Sequence, residues 1–139
     1  LEVFPFRVDR FVLVTAPTHP LAKVDSIAFN DALDFDFVGL DRSSSLQRFL
    51  SEKAERVGKR LKLRVQLRSF DAVCRLVACN VGIGVVPQTT AERNARTINL
   101  HRIQLTDDWA LRNLTICVRK LEDLPTYAQE LVRDLVAER

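Results

Sequence analysis

The sequence predicts an α/β fold with a largely parallel sheet and helices packed on its faces, and three observations lead there. Apolar residues alternate along the chain between short β-branched runs and stripes at helical spacing. Two of the passages from strand to helix carry serines at the helix start. The chain has 139 residues, 47% apolar and 28% charged, enough for one domain or two lobes with a true core, and unlike a disordered segment.

Arg10–Ala16 (RFVLVTA) is a β-branched run stopped by Pro17 and Pro20, and Phe35–Leu40 (FDFVGL) is a second buried strand. Between them Ile27, Phe29 and Leu33 give Asp25–Leu33 a weak helical spacing of one or two turns. After Asp41-Arg42-Ser43-Ser44-Ser45, the residues Leu46, Phe49, Leu50, Ala54 and Val57 share one helical face, and Gly58 closes the helix as its C′ glycine. Leu61, Leu63, Val65 and Leu67 then alternate with Lys62, Arg64, Gln66 and Arg68, the period of a strand with a basic outer face. A helix expected to be almost wholly buried follows from Ser69, with Phe70, Val73, Cys74, Val77 and Ala78 as its stripe. It ends at Asn80, which tolerates the left-handed C′ conformation, before the strand Gly82–Pro87. Thr89–Ala95 reads as a short helix, Thr97–Leu105 as extended, and Leu114–Val118 as the last strand. Pro125 opens a final helix with Leu124, Tyr127, Leu131, Val132, Leu135 and Val136 on one face.

Strand ends that feed helix N-termini are where such sheets bind ligands, because the first helical amides are unpaired and the dipole end is positive. Two turns qualify. In Asp41–Ser45, hydroxyls and free amides can hold a carboxylate or similar anion; the alternative reading is that one serine is merely the N-cap, although three serines are more than a cap requires. In Arg68-Ser69-Phe70, the serine caps, the arginine is a counter-charge and the phenylalanine an apolar wall, while Asp71 in the first turn would repel an anion directly above it.

Other chemistry finds little support. Gly82-Ile83-Gly84 does not open a helix, so it reads as close backbone packing and not as a dinucleotide fingerprint. The run Lys59, Arg60, Lys62, Arg64, Arg68 lacks interleaved aromatics, and the net charge of only +3 (21 basic against 18 acidic residues) cannot drive nucleic-acid binding. His19 and His101 are isolated, and Cys74 and Cys79 lie about 140° apart round a helix, so no metal or cofactor site is expected. All three cysteines, Cys117 included, read as buried thiols of a reducing compartment. No catalytic residue stands out, since Asp107-Asp108 and Glu122-Asp123 fall in turns and no serine or cysteine has a local base. No apolar run approaches the roughly 20 residues of a membrane span.

Three segments together resemble a known family: Thr18-His19-Pro20-Leu21-Ala22 after the first strand, Ser69-Phe70-Asp71-Ala72-Val73 opening a helix, and Leu76–Pro87 (LVACNVGIGVVP). In order and spacing they are similar to the effector-binding region of LysR-type transcriptional regulators, with Asn80 where that pattern has glycine. The resemblance implies a type 2 periplasmic-binding-protein fold: a complete, Rossmann-like second lobe at 21–108, with remnants of the first lobe at 1–20 and 109–139. It implies a small effector in an interlobe cleft, faced by the serine turn and the Ser69-Phe70 helix start, which supports Ser43, Ser44, Ser69 and Phe70, while Ser45 and Arg68 rest on the strand-end reading alone. It further implies a cytoplasmic homo-oligomer that meets DNA only through an amino-terminal helix-turn-helix lying outside this sequence, and no membrane. A chain without Met at position 1 or anywhere else is expected to be a piece of a longer polypeptide. The competing expectations are a solute-binding protein of the same fold without a transcriptional role, and an enzyme built on that fold.

Overall fold

The computed structural model describes the backbone of residues 2–118, 122 and 124–137, and their side chains outside 4–8, 112–118 and 136–137. The elements run β1 (Glu2–Thr15), a 3-10 turn (Pro20–Lys23), β2 (Ser26–Ile27), α1 (Phe29–Ala32), β3 (Phe37–Leu40), α2 (Ser45–Arg56), β4 (Leu63–Leu67) and α3 (Phe70–Ala78). They continue with β5 (Gly84–Pro87), α4 (Gln88–Ala95), β6 (His101–Leu105), a second 3-10 turn (Asp108–Ala110), β7 (Leu111–Val118) and α5 (Thr126–Ala137). These form two units, Phe11–Ala110 and Leu1–Arg10 with Leu111–Arg139.

In the Phe11–Ala110 unit the β-branched run of β1 is buried on both faces, which is why it shows no polar alternation. Phe11 and Leu13 point into a cluster with Phe29, Leu33, Phe37, Leu50, Ile83 and Ile103. Val12 and Val14 point the other way, against Val38, Val73, Cys74, Val77, Val86 and Ala91. The period of two thus divides the core into one layer under α1 and α2 and another under α3 and α4. A fully buried side chain such as Leu13 contributes about 1.5–3 kcal/mol.

The Phe11–Ala110 unit has the expected largely parallel order, with β2, β3, β4, β5 and β6 running one way, and departs from it at β1. β1 runs antiparallel to β5, β6 and β7, while β2 pairs β6 in parallel. After β1 the chain reverses through Pro17–Lys23, with no helix long enough to carry it back to the starting end, so later strands meet β1 head to tail. Parallel order appears where helical crossovers permit it. β3 and β4 are parallel, and Ile83 bridges to Phe37 in the same sense. Gly82 makes that approach possible: a Cβ there would lie 2.8 Å from the Asp36 carbonyl oxygen, in line with the close-packing reading.

The local stop signals act as the sequence implies. Ser44 and Ser69 are the N-caps of α2 and α3, and Asn80 has φ 61°, the left-handed conformation that ends α3. α3 is not wholly buried, however: Val73, Cys74 and Val77 are, while Arg75 and Cys79 are exposed, because only one face meets the sheet. Cys79 is therefore not the buried thiol expected, and the side chain of Cys117 lies outside the described residues, as does Asp123.

The Leu1–Arg10 and Leu111–Arg139 unit is built on the antiparallel ladder of β1 and β7, from Glu2↔Val118 to Arg10↔Leu111, with a register shift between Pro5 and Arg7. On α5, Val132 is buried but Tyr127 and Leu131 are 77% and 57% exposed, so the apolar stripe read from the sequence is covered only in part. No helix among the described residues is long and apolar enough to cross a membrane.

Candidate functional site

β3 and β4 finish side by side, with Leu40 paired to Leu67. The Asp41 amide then donates to the Leu67 carbonyl at 2.9 Å, carrying the pairing one residue past the strand. The two serine-bearing turns thus emerge as neighbours from the same edge. All six residues picked from the sequence fall here: Ser43, Ser44 and Ser45 in one turn, Arg68, Ser69 and Phe70 in the other.

Each turn delivers a helix N-terminus. An α-helix leaves its first amides without intrahelical acceptors. Ser44 Oγ accepts from the Gln47 amide at 3.3 Å, and Ser69 Oγ accepts from the Ala72 amide at 3.2 Å. These bonds use oxygen lone pairs, so each hydroxyl keeps its O–H to donate outward. The amides of Ser45 and Leu46 on α2, and of Phe70 and Asp71 on α3, precede the capped ones and have no helical acceptor. A small anion above the two turns would meet serine hydroxyls, free amides and two positive dipole ends.

The remaining picks have narrower roles. Ser43, though exposed, is already engaged: its hydroxyl donates to Asp41 Oδ1 at 2.5 Å and its amide to the same oxygen at 3.1 Å. Those bonds, the hydroxyl's foremost, hold the Asp41 carboxyl below its ordinary range, with the nearby Arg68 charge and the Ser44 amide assisting. Arg68 is exposed and faces Asp41 across the two turns. Ser45 is exposed in the first turn of α2, and Phe70 is half-buried against the second core layer.

The expected repulsion from Asp71 is met by a partner on α4. Asp71 Oδ1 accepts from Asn94 Nδ2 at 2.8 Å and from Arg93 Nη2 at 2.7 Å. These bonds lower the carboxyl pKa, Asn94's contributing most, and Arg93 supplies the compensating charge.

Sequence reading missed the residues that fix the turn. Arg48 Nη1 donates to the carbonyls of Arg42 and Ser43, at 3.0 and 3.1 Å. The peptide groups of Leu40 are held by two glutamines: Gln47 Oε1 accepts from its amide at 3.1 Å, and Gln66 Nε2 donates to its carbonyl at 3.2 Å. A signal existed for Gln47. It lies three and seven residues before Leu50 and Ala54, on the buried stripe of α2, where a polar residue needs a reason. Among the described residues no group of three His, Cys, Asp or Glu side chains could hold a metal ion.

The Phe11–Ala110 unit is an α/β lobe with two hydroxyl-capped helix starts at adjacent strand ends. The chain belongs to the LysR substrate binding domain family, which it matches along residues 1–139. It is similar to the probable RuBisCO transcriptional regulator of Synechocystis, 29% identical over 104 residues that make up 73% of this chain and 30% of that one. The corresponding regulator of Cyanidioschyzon merolae is 30% identical over 89 residues, 62% of this chain and 29% of that one. The chain thus spans less than a third of the length of these relatives. Among solved structures, the Synechocystis CcmR regulatory domain in complex with 2-PG matches with a TM-score of 0.82 at 21% identity, over 99% of this chain and 66% of that one. The BenM effector binding domain with benzoate matches with a TM-score of 0.73 at 25% identity, over 99% and 64%. The fold is that of LysR effector-binding domains, the type 2 periplasmic-binding-protein fold.

Proposed function

We propose that this chain is the effector-sensing region of a LysR-type transcriptional regulator and that a small anionic metabolite binds over the paired turns. The Ser44 and Ser69 hydroxyls and the amides of Ser45, Leu46, Phe70 and Asp71 are the donors, Arg68 is the counter-charge and Phe70 the apolar wall. One observation carries this reading: the 2.9 Å bond from Asp41 to Leu67, which sets the two capped helix starts side by side. Hydrogen bonds to a charged partner contribute about 1.5–3 kcal/mol each, so two hydroxyls and a few amides suffice for a metabolite-range affinity.

In the whole regulator the effector acts by population shift and not by catalysis. It can favour a closed arrangement of lobes only by as much as it prefers that arrangement, and the preference is passed to DNA-bound oligomers, the DNA being held by a helix-turn-helix outside this sequence. The regulators among its relatives favour this reading over a solute-binding protein, and with it a cytoplasmic location. Calorimetric titration with a panel of small carboxylates and phosphates, including 2-PG, shikimate and benzoate, tests it. At least one should bind saturably, and Ser44→Ala or Ser69→Ala should each weaken it about tenfold, which equals about 1.4 kcal/mol. Binding untouched by both substitutions would refute the placement.

A further inference from the structure

A cavity of about 400 Å³ opens on the Phe11–Ala110 unit where α1, the end of α2 and the turn Asp108–Ala110 meet. It lies toward the far end of α2 from the serine turn, about 12 Å along the helix at Lys53 and about 18 Å at Val57. Its volume is that of a small-molecule site.

The walls are fixed in advance. Phe29 and Leu33, 3% and 2% exposed, form the floor. Trp109 stands edge to face with Phe29 at 5.6 Å between ring centroids and with Phe49 at 5.2 Å, so its ring is braced on two sides. Asp107 Oδ2 accepts from the Phe29 amide at 2.8 Å, tying the turn that carries Trp109 to the start of α1. Val57, 48% exposed, extends the apolar surface to the mouth.

Three charged side chains line the same cavity, and with Asp107 engaged by the Phe29 amide, Lys53 and Asp108 are the two left to meet a ligand. The Lys53 ammonium lies 5.3 Å from the Phe49 ring centroid, and Asp108 is exposed. Among the described residues neither forms an ion pair. A ligand with one charge would answer one of these groups and leave the other unpaired beside an apolar surface. A molecule with both charges on an apolar body answers both.

We propose that this cavity is a second small-molecule site, separate from the strand-end turns, and that it takes a free amino acid with an apolar side chain. The carboxylate pairs with Lys53, the ammonium with Asp108, and the side chain lies against Trp109, Phe29 and Val57.

Trp109 is the chain's one tryptophan, so its emission reports directly on the cavity. The test is a fluorescence titration of the 139-residue chain with L-phenylalanine, excited at the red edge of the indole band, alongside phenethylamine and 3-phenylpropionate, which each lack one charge. The expected result is a saturable change with L-phenylalanine, at least tenfold weaker binding of both analogues, and at least tenfold weaker L-phenylalanine binding by Lys53→Met and by Asp108→Asn. Ser44→Ala should leave that titration unchanged. No saturable change, equal binding of all three compounds, or indifference to both charge substitutions would overturn the proposal. So would an emission shift that follows protein concentration and ignores ligand, since a second copy of the chain would then cover the cavity.

Discussion

Replacing Gln47 separates what the core needs from what the effector turn needs. This side chain is 4% exposed; its Oε1 serves the Leu40 amide at 3.1 Å, while its Nε2 is buried with no protein acceptor among the described residues. A buried unpaired polar group costs about 1–3 kcal/mol. Gln47→Leu removes one such group and creates another at the Leu40 amide, so the two terms cancel and stability should stay within about 1 kcal/mol of the parent. Gln47→Ala also orphans the Leu40 amide and enlarges the space beneath α2, for a loss of about 2–4 kcal/mol. Gly39 reports on the same contact, because a Cβ there would collide with Gln47 Oε1 and lie 2.7 Å from Leu63 Cδ2. Gly39→Ala should cost about 1–3 kcal/mol alone and clearly less in the Gln47→Ala background. Urea unfolding of the four variants measures all of this. A Gln47→Leu variant as unstable as Gln47→Ala would refute the reasoning, since Nε2 would then have a partner worth keeping. In binding assays Gln47→Leu should still weaken the effector, because the peptide that starts the serine turn has lost one of its two glutamine clamps.

Three further outcomes follow from individual residues. Asn80→Ala should lower stability by about 1 kcal/mol and Asn80→Gly should not, because φ 61° strains any residue with a Cβ and asparagine least; thermal unfolding distinguishes them. Asp71 has its folded pKa depressed below the ordinary 3.8, so its contacts with Asn94 and Arg93 stabilise the fold above that value and are lost as pH falls through the folded one. Asp71→Asn should therefore lower stability at neutrality, flatten the acid limb of the stability profile below about pH 4, and differ little from the parent once the carboxyl is protonated. In a Cys117→Ser background, iodoacetamide should modify the exposed Cys79 and spare Cys74, whose thiol burial pushes up to about 11; equal labelling of both, read by mass spectrometry, would contradict the packing of α3.

Where a local rule decided the outcome, the sequence was a good guide. The stripe of α2, its Ser44 cap and its Gly58 stop, the alternation of β4, the Ser69 cap and the Asn80 turn are each set by residues within a few positions of one another. The orientation of β1 was not legible, because it depends on whether the chain crosses back after Pro17, which no periodicity records. The exposure of Cys79 was hidden for a similar reason: a short apolar helix does not say how much of its girth meets the sheet. At the candidate site the strand-end rule located both turns, and the family resemblance pointed to the same two turns. Which hydroxyls remain available was beyond it. Ser43 satisfies Asp41 while Ser44 and Ser69 keep an O–H to offer, a difference set by one rotamer and one neighbouring carboxylate. The partners that make Asp71 tolerable sit 22 and 23 residues later on α4, a separation only the fold can close.

Amide chemical-shift mapping of the ¹⁵N-labelled chain during titration with 2-PG, shikimate and benzoate would decide whether the neighbouring turns receive the effector. The amides of Ser45, Leu46, Phe70 and Asp71 should shift together along one saturation curve for the anion that binds. Shifts confined to other parts of the Phe11–Ala110 unit, or movement of one turn without the other, would contradict that placement.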